Sequence, residues 1–204
     1  MVKPKKIESN VQLLVEGNDQ RNFFECFCQH LSLEAVEVHD FGGTGDLSGF
    51  LSAFVMISGF DTVAALGIVR DAEQDATSAF QSVQSALRKA ELLPPDRPRQ
   101  LSAGTPAVAA LVLPGGNEDG MLETLLCRSI ADQPENTCID AFFECIENRT
   151  NISVKRPDKS RAYAFLSTKE HPQTSVGVAA KKGYWNLDHN AFSEVRDFLT
   201  KLAS

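Results

Sequence analysis

No apolar run in this chain reaches the length needed to cross a bilayer, which removes membrane-spanning helices from the expectations. The start, Met1-Val2-Lys3-Pro4-Lys5-Lys6, is basic, but polar and charged residues follow where a secretory signal would carry its apolar stretch. The expectation is a cytoplasmic protein with no membrane partner. Zinc-site spacing is missing as well. Cys26, Cys28, Cys127, Cys138 and Cys145 form no paired set, and His30, His39, His171 and His189 share no ligand spacing, so reduced, buried thiols are expected. Gly42-Gly43-Thr44-Gly45 lacks the Gly-Lys-Ser/Thr ending of a nucleotide-binding P-loop and reads as a turn into the next helix. Ser102, Ser160 and Ser167 lack the flanking glycines of a nucleophile elbow.

What is present is an ordinary globular composition, 43% apolar and 23% charged over 204 residues. The net charge of -7 is unevenly spread. Residues 155–204 carry nine Lys and Arg against five Asp and Glu, leaving eleven against twenty-two in residues 1–154. An acidic front and a basic later segment suit a metal site beside a phosphate-binding surface, and a solvated loop would account for the same charges.

The apolar pattern alternates between two periods. Val11 to Val15 is a short buried strand ending at Glu16-Gly17, and Phe23, Phe24, Phe27 and Leu31 follow at helical spacing. Val36 and Val38 predict a second strand, and Phe50 to Ile57 a helix closed by Gly59. Thr62 to Val69 is a continuous apolar strand, as in a sheet covered on both faces, and it runs into Arg70-Asp71-Ala72-Glu73-Gln74-Asp75. A helix over Phe80 to Ala90 and a fourth strand at Val108 to Leu113 complete the rhythm of a mostly parallel α/β sheet flanked by helices. Beyond about residue 132 helical patterns dominate, at Ile139 to Ile146, Ala162 to Leu166 and Phe192 to Leu202. The expected division is an α/β domain over 1–131 and a helical extension over 132–204 packed on it. Tyr184 and Trp185 read as an aromatic anchor for the last helix.

In a parallel sheet, ligands bind at the carboxyl ends of the strands, so Glu16 and the pair Asp71 and Glu73 belong to one edge. Clustered carboxylates repel one another unless a cation sits between them, and hard oxygen donors suit Mg²⁺ or Mn²⁺. The basic residues Lys155, Lys159 and Arg161 are the candidates for holding a nucleic-acid backbone.

Val15-Glu16-Gly17 after one strand and Asp71-Ala72-Glu73 after a later one resemble the Toprim fold. Its hallmark is one Glu at the first strand end and an Asp-x-Asp pair at a later one. Topoisomerases, bacterial primases, small maturation nucleases and the nuclease domains of OLD-type proteins share it. Gly120-Met121-Leu122-Glu123 and Gly183-Tyr184-Trp185-Asn186 are similar to stretches in small, free-standing Toprim-like proteins of unassigned function, a likeness that takes in nearly the whole chain. The resemblance implies that Glu16 is a metal ligand or general base and that Asp71 and Glu73 hold Mg²⁺ or Mn²⁺ for phosphodiester chemistry on DNA or RNA. A non-catalytic module that binds nucleic acid or protein is the alternative, and a protein partner or homo-oligomer is compatible with either. Two departures stand out. Glu73 replaces the usual second Asp, and Gln20 stands where many members carry an acid four residues after the first Glu, which puts a second metal in doubt. Asp75 or Glu123 are the substitutes at hand.

Overall fold

β1 (Val11–Val15) sits inside a four-stranded sheet and is buried at every residue, because both its faces are covered. In the computed structural model, which describes residues 6–43 and 45–204, it pairs in parallel with β2 (Val36–Asp40) on one side and β3 (Ala65–Asp71) on the other. β4 (Ala107–Leu113) adds to β3, giving the order β2-β1-β3-β4, all parallel. The basic start through Lys5 and Thr44 of the glycine-rich loop lie outside the described residues.

The period-two alternation of strands sorts the core into two layers. Leu13, Val15, Val69, Leu111 and Leu113 face one side, where α1 (Gly17–His30) meets the later helices. Leu14, Leu66, Ile68, Ala110 and Val112 face the other, beneath α2 (Leu47–Phe54) and α3 (Ala76–Lys89). Thr62 was expected in the third strand but closes a 3-10 turn over Phe60–Thr62. Gly59, at φ 96°, starts that turn, and its carbonyl accepts from both the Thr62 N–H and the Thr62 hydroxyl. The strand begins at Ala65 instead. Asp75 caps α3, accepting from the Ser78 N–H at 2.9 Å, and these hydrogen bonds hold its carboxyl below the usual range.

Five helices follow β4: α4 (Leu122–Ser129), α5 (Pro134–Thr150), α6 (Pro157–Leu166), α7 (Val176–Lys181) and α8 (Ser193–Leu202). Among the described residues none is long and apolar enough to cross a membrane. α7 has no counterpart in the sequence reading, since six residues containing a glycine show no periodicity. Its position depends on that glycine. A Cβ at Gly177 would lie 2.1 Å from the Asp19 carbonyl oxygen, so α7 rests directly on the backbone of α1. Gly177→Ala is expected to destabilise the protein by about 1–3 kcal/mol in chemical denaturation, because the clash is with main chain that has no alternative rotamer. An unchanged midpoint would mean the two helices are not in such contact.

Trp185 stacks on Phe165 of α6 with centroids 5.2 Å apart, and its indole N–H donates to the Val176 carbonyl at 2.9 Å. It therefore ties α6 to α7, and it belongs to the same core cluster as Val195 and Phe198 of the last helix. All five cysteines are free. Burial pushes the thiols of Cys28 and Cys127 up to about 12, whereas Cys138 and Cys145 are exposed, contrary to the expectation that all were buried.

Candidate active site at the strand ends

Strand register assembles the inner part of the site. Val15 of β1 is level with Val69 of β3, so Glu16 emerges beside Arg70 and Asp71 at the same edge. The Asp71 N–H donates to Glu16 Oε2 at 3.3 Å. Asp71 Oδ1 accepts from the N–H of Leu122, the first residue of α4, at 3.0 Å, so the carboxylate meets a helix N-terminus. Burial pushes the Asp71 carboxyl well above the usual carboxylate range, and the charges of Glu16, Glu123 and Glu73 push the same way; the Leu122 N–H opposes them.

Three residues complete this inner shell. Glu123, 7% exposed in the first turn of α4, has Oε1 3.7 Å from the Lys159 ammonium. Arg70 is 8% exposed and donates to the Ser82 hydroxyl at 2.6 Å. Its Nε stands 4.0 Å from Glu16 Oε2, an ion-pair distance too long for a hydrogen bond. Gln20, 2% exposed, accepts the Glu16 N–H at 3.1 Å through Oε1, while its amide nitrogen has no hydrogen-bond partner among the described residues.

Glu73 is placed differently. The backbone at Glu73 takes the left-handed conformation, φ 56°, and exchanges hydrogen bonds with Gly120 in both directions. This turn carries the side chain out to an exposed rim. There it lines a cavity of about 310 Å³ with Asp119, Lys155, Arg156 and Lys159. Lys155 and Lys159 thus share this cavity with the acidic Glu73 and Asp119. Arg161 does not join them: it pairs with Asp140 and lies over the Phe143 ring, 5.8 Å from its centroid.

The donor chemistry suits a hard divalent cation, since the acids at these strand ends offer oxygen ligands with no thiol or imidazole among them. The geometry is less complete. Among the described residues no group of three or more His, Cys, Asp or Glu side chains is arranged to hold a metal ion. Glu16 and Asp71 meet, Glu123 is buried nearby, and Glu73 stays at the rim.

A family described as "Protein of unknown function (DUF3226)" matches residues 10–204. The chain belongs to this family. A search of curated proteins finds no match. Among solved structures, the chain is similar to the C-terminal region of the Burkholderia pseudomallei OLD protein, at 13% identity and a TM-score of 0.49, over 97% of this chain and 100% of that one. It is also similar to the C-terminal region of the Xanthomonas campestris pv. campestris OLD protein phased with iodine, at 13% identity and a TM-score of 0.45, over 96% and 94%.

Sequence reasoning overlooked Arg70 in this DUF3226 chain, although it had a signal. A charge at the end of an otherwise apolar, doubly covered strand must be buried, and a buried charge needs a partner. Glu123 had a fainter one, an acid in the first turn of the helix that follows β4.

Proposed function

We propose that the protein carries out divalent-metal-dependent phosphodiester chemistry on nucleic acid, as a nuclease-like member of the Toprim class. The observation that carries this reading is Asp71: a half-buried carboxyl at a strand end that accepts the Leu122 N–H at 3.0 Å and feels the charges of Glu16, Glu123 and Glu73. Such an arrangement opposes ionisation unless a cation is added, and perturbed acids of this kind gather at functional sites. Glu16 and Asp71, with Glu73 or Glu123, would hold Mg²⁺ or Mn²⁺. The ion would polarise a phosphoryl oxygen and lower the pKa of an attacking water. The chain's own residues do the positioning. Arg70 balances the charge of Glu16, Gln20 fixes the main chain at Glu16, and Lys155, Arg156 and Lys159 supply cations for the phosphates of a strand lying along the rim.

A non-catalytic, Toprim-like binding module is the second reading. It is favoured by the open ligand set and by the amide of Gln20 in the place of a further acid.

The deciding experiment incubates the protein and Glu16→Gln with single- and double-stranded DNA and RNA in Mg²⁺ or Mn²⁺. Glutamine keeps an oxygen to accept the Asp71 N–H and removes the charge. A loss of cleavage of about a hundredfold or more is expected. Equal background cleavage by both proteins would sink the nuclease reading. Salt-sensitive binding without cleavage would leave the module standing.

A further inference from the structure

We infer that the protein is a homodimer in which α5 of one copy packs antiparallel against α5 of the other. α5 is the longest helix among the described residues, yet Ile139 is its one fully buried side chain. It rests one edge on α6 and leaves a second apolar stripe in solvent: Cys138, Ala141, Phe142 and Cys145 are exposed, with Phe142 at 54%. Spacings of three, four and seven residues put them on one helix face. Between that stripe and α6 lies a groove of about 340 Å³, lined by Cys138, Ile139, Phe142, Ala164, Ser167 and Thr168. Exposed apolar surface beside such a groove marks an interaction face.

The occupant follows from the symmetry of the stripe. Glu135 stands seven residues before Phe142 and Arg149 seven after, on the same line of the helix. Parallel packing would set Glu135 against Glu135 and Arg149 against Arg149. Antiparallel packing through Phe142 sets each Arg149 beside the partner copy's Glu135, a carboxylate that Lys169 of its own chain also holds at 2.9 Å, and aligns the helix dipoles favourably. The cysteines fit the same axis. Cys138 and Cys145 flank Phe142 at four and three residues, about 5 Å along the helix on either side of the midpoint, so a two-fold brings Cys138 of one copy beside Cys145 of the other. The stripe is self-complementary in charge and register, which fits a second copy of this chain better than an unrelated helix.

Sizing by light scattering is expected to give twice the mass of the chain, and Phe142→Glu to weaken dimerisation about tenfold or more. Phe142 is exposed, so the variant should keep the circular dichroism and Tm of a folded monomer. Register is read from disulfides formed with copper-phenanthroline and dioxygen, which accept the electrons as two thiols join. Cys138→Ser and Cys145→Ser should each cross-link poorly alone, while their mixture should give a covalent dimer through the remaining Cys145 and Cys138. A monomeric wild type overturns the proposal, as does a dimer indifferent to Phe142→Glu or a face occupied by a different protein while the chain itself stays monomeric. Cross-linking of either single variant as strong as that of the mixture overturns the antiparallel register.

Discussion

Asp71→Asn is expected to raise the stability of the metal-free protein at neutral pH by about 1–2 kcal/mol, or roughly 2–8 °C in Tm for a chain of this size, while abolishing any metal-dependent activity. Asparagine keeps an oxygen for the Leu122 N–H and removes a charge that burial and three neighbouring acids disfavour. The sign follows from proton linkage. Because the folded protein holds the Asp71 proton more tightly than the unfolded chain does, stability falls as pH rises from the ordinary carboxylate range through the raised folded value, and the full penalty remains above it. Asp75 and Glu135, whose carboxyls are lowered by hydrogen bonds from Ser78 and Lys169, act in the opposite sense and contribute stability that is lost at acid pH. Comparing wild type with Asp71→Asn isolates the first effect. Millimolar Mg²⁺ or Mn²⁺ should raise the Tm of wild type and leave the variant unchanged, since a ligand that binds the native state stabilises it. A variant that is less stable than wild type, in a protein indifferent to both ions, would reduce Asp71 to a structural acid at the start of α4.

Phe23→Ala should have the largest effect on folding, a loss of about 3–5 kcal/mol in denaturant unfolding. Phe23 is fully buried and packs edge-on to Phe24 at 5.3 Å and tilted against Phe27 and Phe192, each at 5.6 Å. It therefore joins the first helix of the chain to the segment that leads into the last. Removing the ring opens a cavity between elements that cannot collapse together, because β1 and β3 hold the floor beneath them. For a protein with the usual total of about 5–15 kcal/mol, that is a large fraction of its stability. A loss below about 1 kcal/mol would show that the aromatic cluster does not hold α1 to the segment before α8.

The strands were legible because β1, β3 and β4 are buried on both faces and so read as continuous apolar runs. Glu16 and Asp71 were legible for a topological reason: parallel strands finish at one edge, so acids at two strand ends are neighbours however far apart they lie in the chain. Glu73 was misleading in this respect. Nothing in Asp71-Ala72-Glu73 announces a left-handed turn at a glutamate, and that single dihedral sends the side chain to the rim. The later helices were readable where a stripe faced the core, as in α8. α7 was not, because its place is set by the missing side chain of Gly177. Arg161 carried the same charge as its neighbours Lys155 and Lys159, and only the packing of α5 on α6 directs it to Asp140.

The close packing at Gly67, in the middle of β3, bears on the order in which the chain can be made and folded. A Cβ there would collide with the side chains of Leu202 and Leu13 and press on the Phe198 ring, so α8 lies directly over the centre of the sheet. A ribosome delivers Gly67 more than a hundred residues before Leu202. Throughout that interval one apolar side of the β1–β3 ribbon lacks its final cover, and contacts so distant in sequence form slowly. The cover over Gly67 therefore cannot be completed until α8 has been synthesised, however early the strands beneath it are made.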